Sequence, residues 1–204
     1  LQFQLSADWE NPAGTLHFPD GFCYCGITKA IFWYIVGYGK CIDYDFWTIR
    51  RFMIRGLSFE ISQGISNPLF NILTGIDAEK YSWFCVPNQE EVYATNSNLP
   101  FFEKADYNGR EFADLIKRDC NIIFLKLQAY ISESEYFNIS SYDEFIKSDC
   151  QLLLLVYDCV FAEIYCKNTD ITKAIYDNII KRYSDVAFIT DTNDKRYKFD
   201  ILWA

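Results

Sequence analysis

Gln151-Leu-Leu-Leu-Leu-Val-Tyr157, then Asp158-Cys159, then Val160-Phe-Ala-Glu-Ile-Tyr-Cys166 reads as two strands joined by a tight turn. The first run is strongly apolar. The second alternates, with Val160, Ala162, Ile164 and Cys166 on one face. So short a polar break between them predicts a hairpin turning near Tyr157-Asp158-Cys159.

The elements around this hairpin follow from local signals. Downstream, Asp170 is expected to cap a helix whose Ile171, Ile175, Ile179 and Tyr183 recur every four residues. Val186–Thr190 and Arg196–Leu202 then read as a last hairpin across Asp191-Thr-Asn-Asp194. Upstream, Ser141-Tyr-Asp-Glu144 is a capping box that opens a short helix. Ile122–Tyr130 is apolar and extended, as a central strand would be. Asn108 and Glu111 form another capping box, before Phe112, Leu115 and Ile116. Tyr81–Val86 and Glu91–Thr95 read as two strands around Pro87-Asn-Gln89. Asn67-Pro68 opens a helix that Gly75 stops. Ile54–Ile61 alternates like a strand. Strands and helices mixed in this order predict an α+β fold with a largely antiparallel mixed sheet and about four short helices, in a single main domain.

Composition sets the limits. Half of the 204 residues are hydrophobic, enough for one good core and too few for two large domains. Residues 1–52 hold 13 aromatics and three of the five tryptophans, with little structural punctuation beyond the Phe18-Pro-Asp-Gly21 turn signal. Ile27–Val36 fits a helix or a buried strand equally well. Residues 53–204 hold most of the acidic excess, 23 acids against 15 bases. The expected organisation is therefore an aromatic-rich N-terminal extension, 1–52, and an α+β domain, 53–204. Met53 is the only methionine, and Arg50-Arg51 before it fits a translated purine-rich stretch, so two readings of 1–52 stand. It is a subdomain packed on the rest, or it lies upstream of a natural start at Met53.

A net charge of −9 and a pI of about 4.6 disfavour nucleic acid and anionic membrane surfaces as partners. No apolar run approaches the roughly 20 residues of a spanning helix. The opening Leu1–Glu10 is acidic rather than basic, so the expected location is cytoplasmic. Eight cysteines in a chain of this size, several inside apolar runs, are expected to be reduced structural thiols.

The usual chemistries find no purchase here. The only histidine, His17, stands beside Phe18-Pro19, and no G-x-S-x-G elbow is present. No glycine-rich phosphate loop and no C-x-x-C occurs, so neither a cofactor nor a metal is expected. Asp191-Thr-Asn-Asp194 starts like a calcium loop but lacks its glycine, and position twelve is Leu202. The carboxylate pairs Asp43/Asp45, Glu90/Glu91 and Asp143/Glu144 are most simply solvated or at a helix start. Lys195, Arg196 and Lys198 alternate with Tyr197 and Phe199 as in an RNA-binding sheet, a reading that the acidic balance opposes.

Ile54-Arg-Gly-Leu-Ser-Phe-Glu-Ile61, Gly75-Ile-Asp77 with Tyr81-Ser-Trp83, and Glu163-Ile-Tyr165 resemble a family of short bacterial proteins catalogued as a domain of unknown function. The resemblance implies a structural core starting near Met53 and brings no activity with it. The leading expectation is an interaction or regulatory domain that binds a protein partner or self-associates. The alternative is a ligand-binding protein or enzyme with Tyr81, Trp83, Glu91 and Tyr93 around a pocket between the two strands that flank Pro87.

Overall fold

In the computed structural model the described residues are 16–17, 23–24 and 53–202, apart from 63, 96, 98 and 132–134. The chain divides into two units, Leu1–Arg50 and Arg51–Ala204. In the first, β1 (Leu16–His17) pairs antiparallel with β2 (Cys23–Tyr24). The Phe18–Gly21 turn signal and the Ile27–Val36 segment lie outside the described residues.

The second unit is an α+β fold on one antiparallel seven-stranded sheet. Its strands are β3 (Ile54–Glu60), β4 (Ser82–Ala94), β5 (Asp106–Tyr107), β6 (Cys120–Tyr130), β7 (Cys150–Tyr157), β8 (Phe161–Cys166) and β9 (Ser184–Thr190), in the order β5-β4-β6-β7-β8-β3-β9. Four helices join them: α1 (Pro68–Leu73), α2 (Gly109–Leu115), α3 (Tyr142–Lys147) and α4 (Thr169–Ile179).

The β7–β8 hairpin turns where its sequence indicates. Asp158 and Cys159 both take positive φ, 53° and 63°, and Val160 N donates to Tyr157 O. That is a type I′ turn, whose twist matches the strands it joins. Beside it, β3 lies so close to β8 that a Cβ on Gly56 would stand 2.0 Å from Ile164 O, which is why no side chain fits there.

Each sheet face has its own core. On one, α1, α2 and α4 bury Leu69, Ile72, Phe112, Ile175 and Ile179 over Leu57, Trp83, Leu125, Leu127, Leu154 and Ile164. On the other, Ile139, Phe145 and Phe199 cover Tyr130, Leu153, Leu155 and Tyr165. Full burial of each such side chain contributes about 1.5–3 kcal/mol.

Three expectations need correction. Tyr81–Val86 and Glu91–Thr95 are not separate strands. They are one strand, β4, with a bulge in which Cys85 faces Leu127 and Glu90 faces Leu125 on β6. Pro87 sits in that bulge, where no ladder bond needs its missing N–H. The α4 cap is Asn168, whose side chain accepts from Asp170 N and Ile171 N, and Asp170 is a first-turn residue. Finally, Arg196–Leu202 is not a strand hairpinned to β9. After the turn at 191–194 it crosses back over the second face. Its alternating pattern is that of an extended segment whose main chain bonds elsewhere: Phe199 N donates to Ser140 O, and Ile201 N to the Gln89 side chain.

Candidate functional site

The four residues singled out in the sequence fall into two pairs. Tyr81 meets Trp83 edge-on, with ring centroids 6.0 Å apart, on the helical face. Trp83 is fully buried, stacks on Phe112 at 4.2 Å and donates its indole N–H to Ala78 O at 2.9 Å. Glu91 and Tyr93 flank the buried Val92 and so project from the other face. There the Tyr93 hydroxyl donates to Glu91 Oε1 at 3.2 Å, and the carboxylate raises the phenol's pKa. Trp83 pairs with Ala129 and Tyr93 with Asn121, which sets the two pairs about 25 Å apart along β6.

A denser set of polar groups lies on the second face. Ladder pairing aligns Lys126, Leu155, Glu163 and Ser58 in one row across β6, β7, β8 and β3, and Gln128, Leu153, Tyr165 and Gly56 in the next. Lys126 and Gln128 are both fully buried. The signal for this was in the sequence: two polar residues at i and i+2 break the apolar run of β6, so one face of a central strand is polar.

These groups hold two extended segments. Gln128, with its amide oriented to satisfy both ends, donates to Phe137 O at 3.0 Å and accepts from Ile139 N at 3.1 Å. From the β4 bulge, Gln89 Oε1 accepts from Ile201 N at 2.7 Å and Leu202 N at 3.1 Å, and Nε2 donates to Leu202 O at 3.0 Å. Along Arg196–Leu202, the Arg196 guanidinium pairs with Glu163 and lies 4.7 Å from the Tyr157 ring centroid. Phe199 is buried against Tyr165 at 4.7 Å. Asp200 accepts from Lys126 Nζ at 3.0 Å and Asn138 Nδ2 at 3.1 Å. The segment thus crosses the strands, from Glu163 on β8 through Lys126 on β6 to Gln89 on β4. Three strand spacings are about 14 Å, within the reach of seven extended residues.

Its entry is clamped as well. Arg55 Nη1 pairs with Asp194 at 3.0 Å, and its guanidinium lies 4.1 Å from the Tyr142 ring centroid. The Tyr165 hydroxyl stands between Asp194 Oδ1 (3.3 Å) and Glu163 Oε2 (3.4 Å). Burial, then those two carboxylates, drives its pKa far up, so it remains a hydrogen-bond donor. Burial lowers the pKa of Lys126 against the pull of Asp200. Asp200 is also affected by burial, but the bonds from Asn138 and Lys126 outweigh it and leave its carboxyl below the usual range. The two shifts have different causes: desolvation lowers the wholly buried lysine, and hydrogen bonding lowers the part-exposed carboxylate.

Two open depressions lie on the described surface of the second unit. One of about 540 Å³ lies along α2 between Lys104, Tyr107, Glu111 and Arg118; another, of about 330 Å³, lies beside Phe137 and Lys147.

A family model described as "Protein of unknown function (DUF2691)" matches residues 54–200. The chain belongs to this family. The DUF2691 match takes in both cores and the Arg196–Asp200 part of the crossing segment. Among relatives, the "Uncharacterized protein YncE" of Bacillus subtilis (strain 168) is 33% identical over 150 residues, which are 71% of this chain and 97% of that protein. No solved structure matches the chain. No helix among the described residues is long and apolar enough to cross a membrane.

Proposed function

We propose that this DUF2691 domain is a protein-binding module of the bacterial cytoplasm, and that residues 53–204 are its working unit. One observation carries the reading. The second sheet face holds an extended segment of its own chain by side chain and main chain together, through Glu163, Lys126 and Gln89. Main-chain bonds plus alternating side-chain anchors are how extended segments are recognised between proteins. Four buried free thiols, Cys85, Cys120, Cys150 and Cys166, suit a reducing compartment. The pocket reading draws less support, because Trp83 has its ring and its N–H already committed to the core.

Affinity capture from native cells with the full chain tests this reading. The expected result is a partner retained by the wild type and lost with Glu163→Ala, a change on the second face. Capture unaffected by that change, or a chain that binds no protein and sediments as a monomer, would contradict it. Residues 53–204 expressed alone should unfold in urea in one cooperative transition; a segment without one would count against their being the working unit.

A further inference from the structure

The Arg196–Leu202 segment is an odd cover for a core. A permanent cover over central strands is most stable when both sides are apolar, and exchanging buried ion pairs for apolar contacts is often neutral or stabilising. Here the floor instead offers a buried lysine, a buried glutamine (Gln89) and a glutamate, and the cover answers with an arginine, an aspartate and its own main chain. Its single deep anchor is Phe199. Tyr197, between Lys195 and Lys198, is 91% exposed and adds nothing to the core. Floor and segment are matched as receptor and ligand are matched.

We infer that the second face is a peptide channel, occupied in this structure by the chain's own Arg196–Leu202, and that it takes an extended segment of a partner protein with the same chemistry: a base, two residues, an aromatic, then an acid. The inference rests on the protein-binding reading above and names the partner's recognition element. Charge decides between a partner and a second copy. The chain carries a net charge of −9, so two copies repel, whereas residues 195–202 hold three bases against one acid. A basic, aromatic segment from another protein is drawn to this acidic body.

The chain's own segment competes at the high effective concentration of any tethered ligand, on the order of millimolar. Access for a partner therefore depends on how often that segment lifts.

The test uses the full chain and a fluorescent octapeptide, Lys-Arg-Tyr-Lys-Phe-Asp-Ile-Leu, read by anisotropy. Asp200→Ala and Phe199→Ala each loosen the tethered segment. The expected result is saturable binding at least tenfold tighter to either loosened chain than to the wild type, and at least tenfold weaker binding of a scrambled peptide. Should Phe199→Ala fail to fold, Asp200→Ala decides alone, since its side chain is part-exposed at the rim. No binding to a loosened chain with wild-type circular dichroism would overturn the inference, as would equal binding of the scrambled peptide. A loosened chain that forms a stable dimer would assign the channel to a second copy's segment and overturn the partner assignment. Capture of a partner through Glu163 combined with failure of the peptide would sink the channel and leave the module reading standing.

Discussion

Lys126 and Asp200 are unequal partners. The lysine is wholly buried, while the aspartate side chain keeps 36% of its exposure. Removing the acid strands a buried cation; removing the base leaves a carboxylate that water can still reach. Asp200→Ala should therefore cost about 2 kcal/mol, whereas Lys126→Met should fall within about 1 kcal/mol of the wild type in either direction, both read by urea unfolding. Equal losses would show that the pair's attraction, not the burial of the lysine, dominates. Acid should act on the same bond. The Asp200 carboxyl titrates below its ordinary 3.8 in the folded chain, so its contribution is complete above 3.8 and is lost as pH falls through the lower, folded value. Asp200→Asn should flatten that acid limb.

Thiols report on burial independently. Desolvation pushes Cys120 up to about 11 and Cys150 and Cys166 up to about 12, and Cys85 rises as well, so none of the four holds much thiolate at pH 8. Cys159 is exposed. Brief iodoacetamide treatment followed by peptide mapping should label Cys159 and spare these four until denaturant is added. Rapid labelling of Cys150 in the native chain would contradict the second core. Burial was readable for Cys85, which lies between Phe84 and Val86, and less so for Cys120 and Cys150, which follow aspartates where β6 and β7 begin. The pairing of Lys126 with Asp200 was not, because it joins residues 74 positions apart and depends on where the last segment lies.

Among the elements, the β7–β8 hairpin was legible because its turn is local chemistry: two residues between two apolar runs. Neither Asp158 nor Cys159 is glycine, yet both hold positive φ. Cys159→Gly should therefore stabilise the fold by roughly 0.5–1 kcal/mol, measured as a higher urea midpoint; a loss would mean that the Cys159 side chain makes a needed contact. The β4 bulge was misread as a turn between strands, since Pro87-Asn-Gln89 carries turn residues whichever way the ladder resumes. Only the register against β6 shows that the strand continues. That same bulge brings Gln89 to the crossing segment, so the misread element is also the one that holds the segment's end. Arg196–Leu202 was misread for a related reason. Alternation marks an extended chain, and it does not say whether sheet or side chains satisfy the main chain.

At the scale of the whole molecule, the α+β class and the antiparallel sheet followed from the order of elements. The division of labour between the two faces did not, because it needs the strand order. One face is sealed by three helices over an apolar core. The other carries its charges inward and is crossed by a segment that bonds through its own backbone. The central claim is that this segment behaves as a replaceable ligand. Hydrogen exchange of the full chain, followed by mass spectrometry with and without saturating octapeptide, tests it most directly. Displacement predicts faster exchange at Phe199, Ile201 and Leu202 when the peptide is present, with the amides of β6 and β7 unchanged. Exchange in 199–202 that stays slow and unaltered by the peptide would contradict the claim.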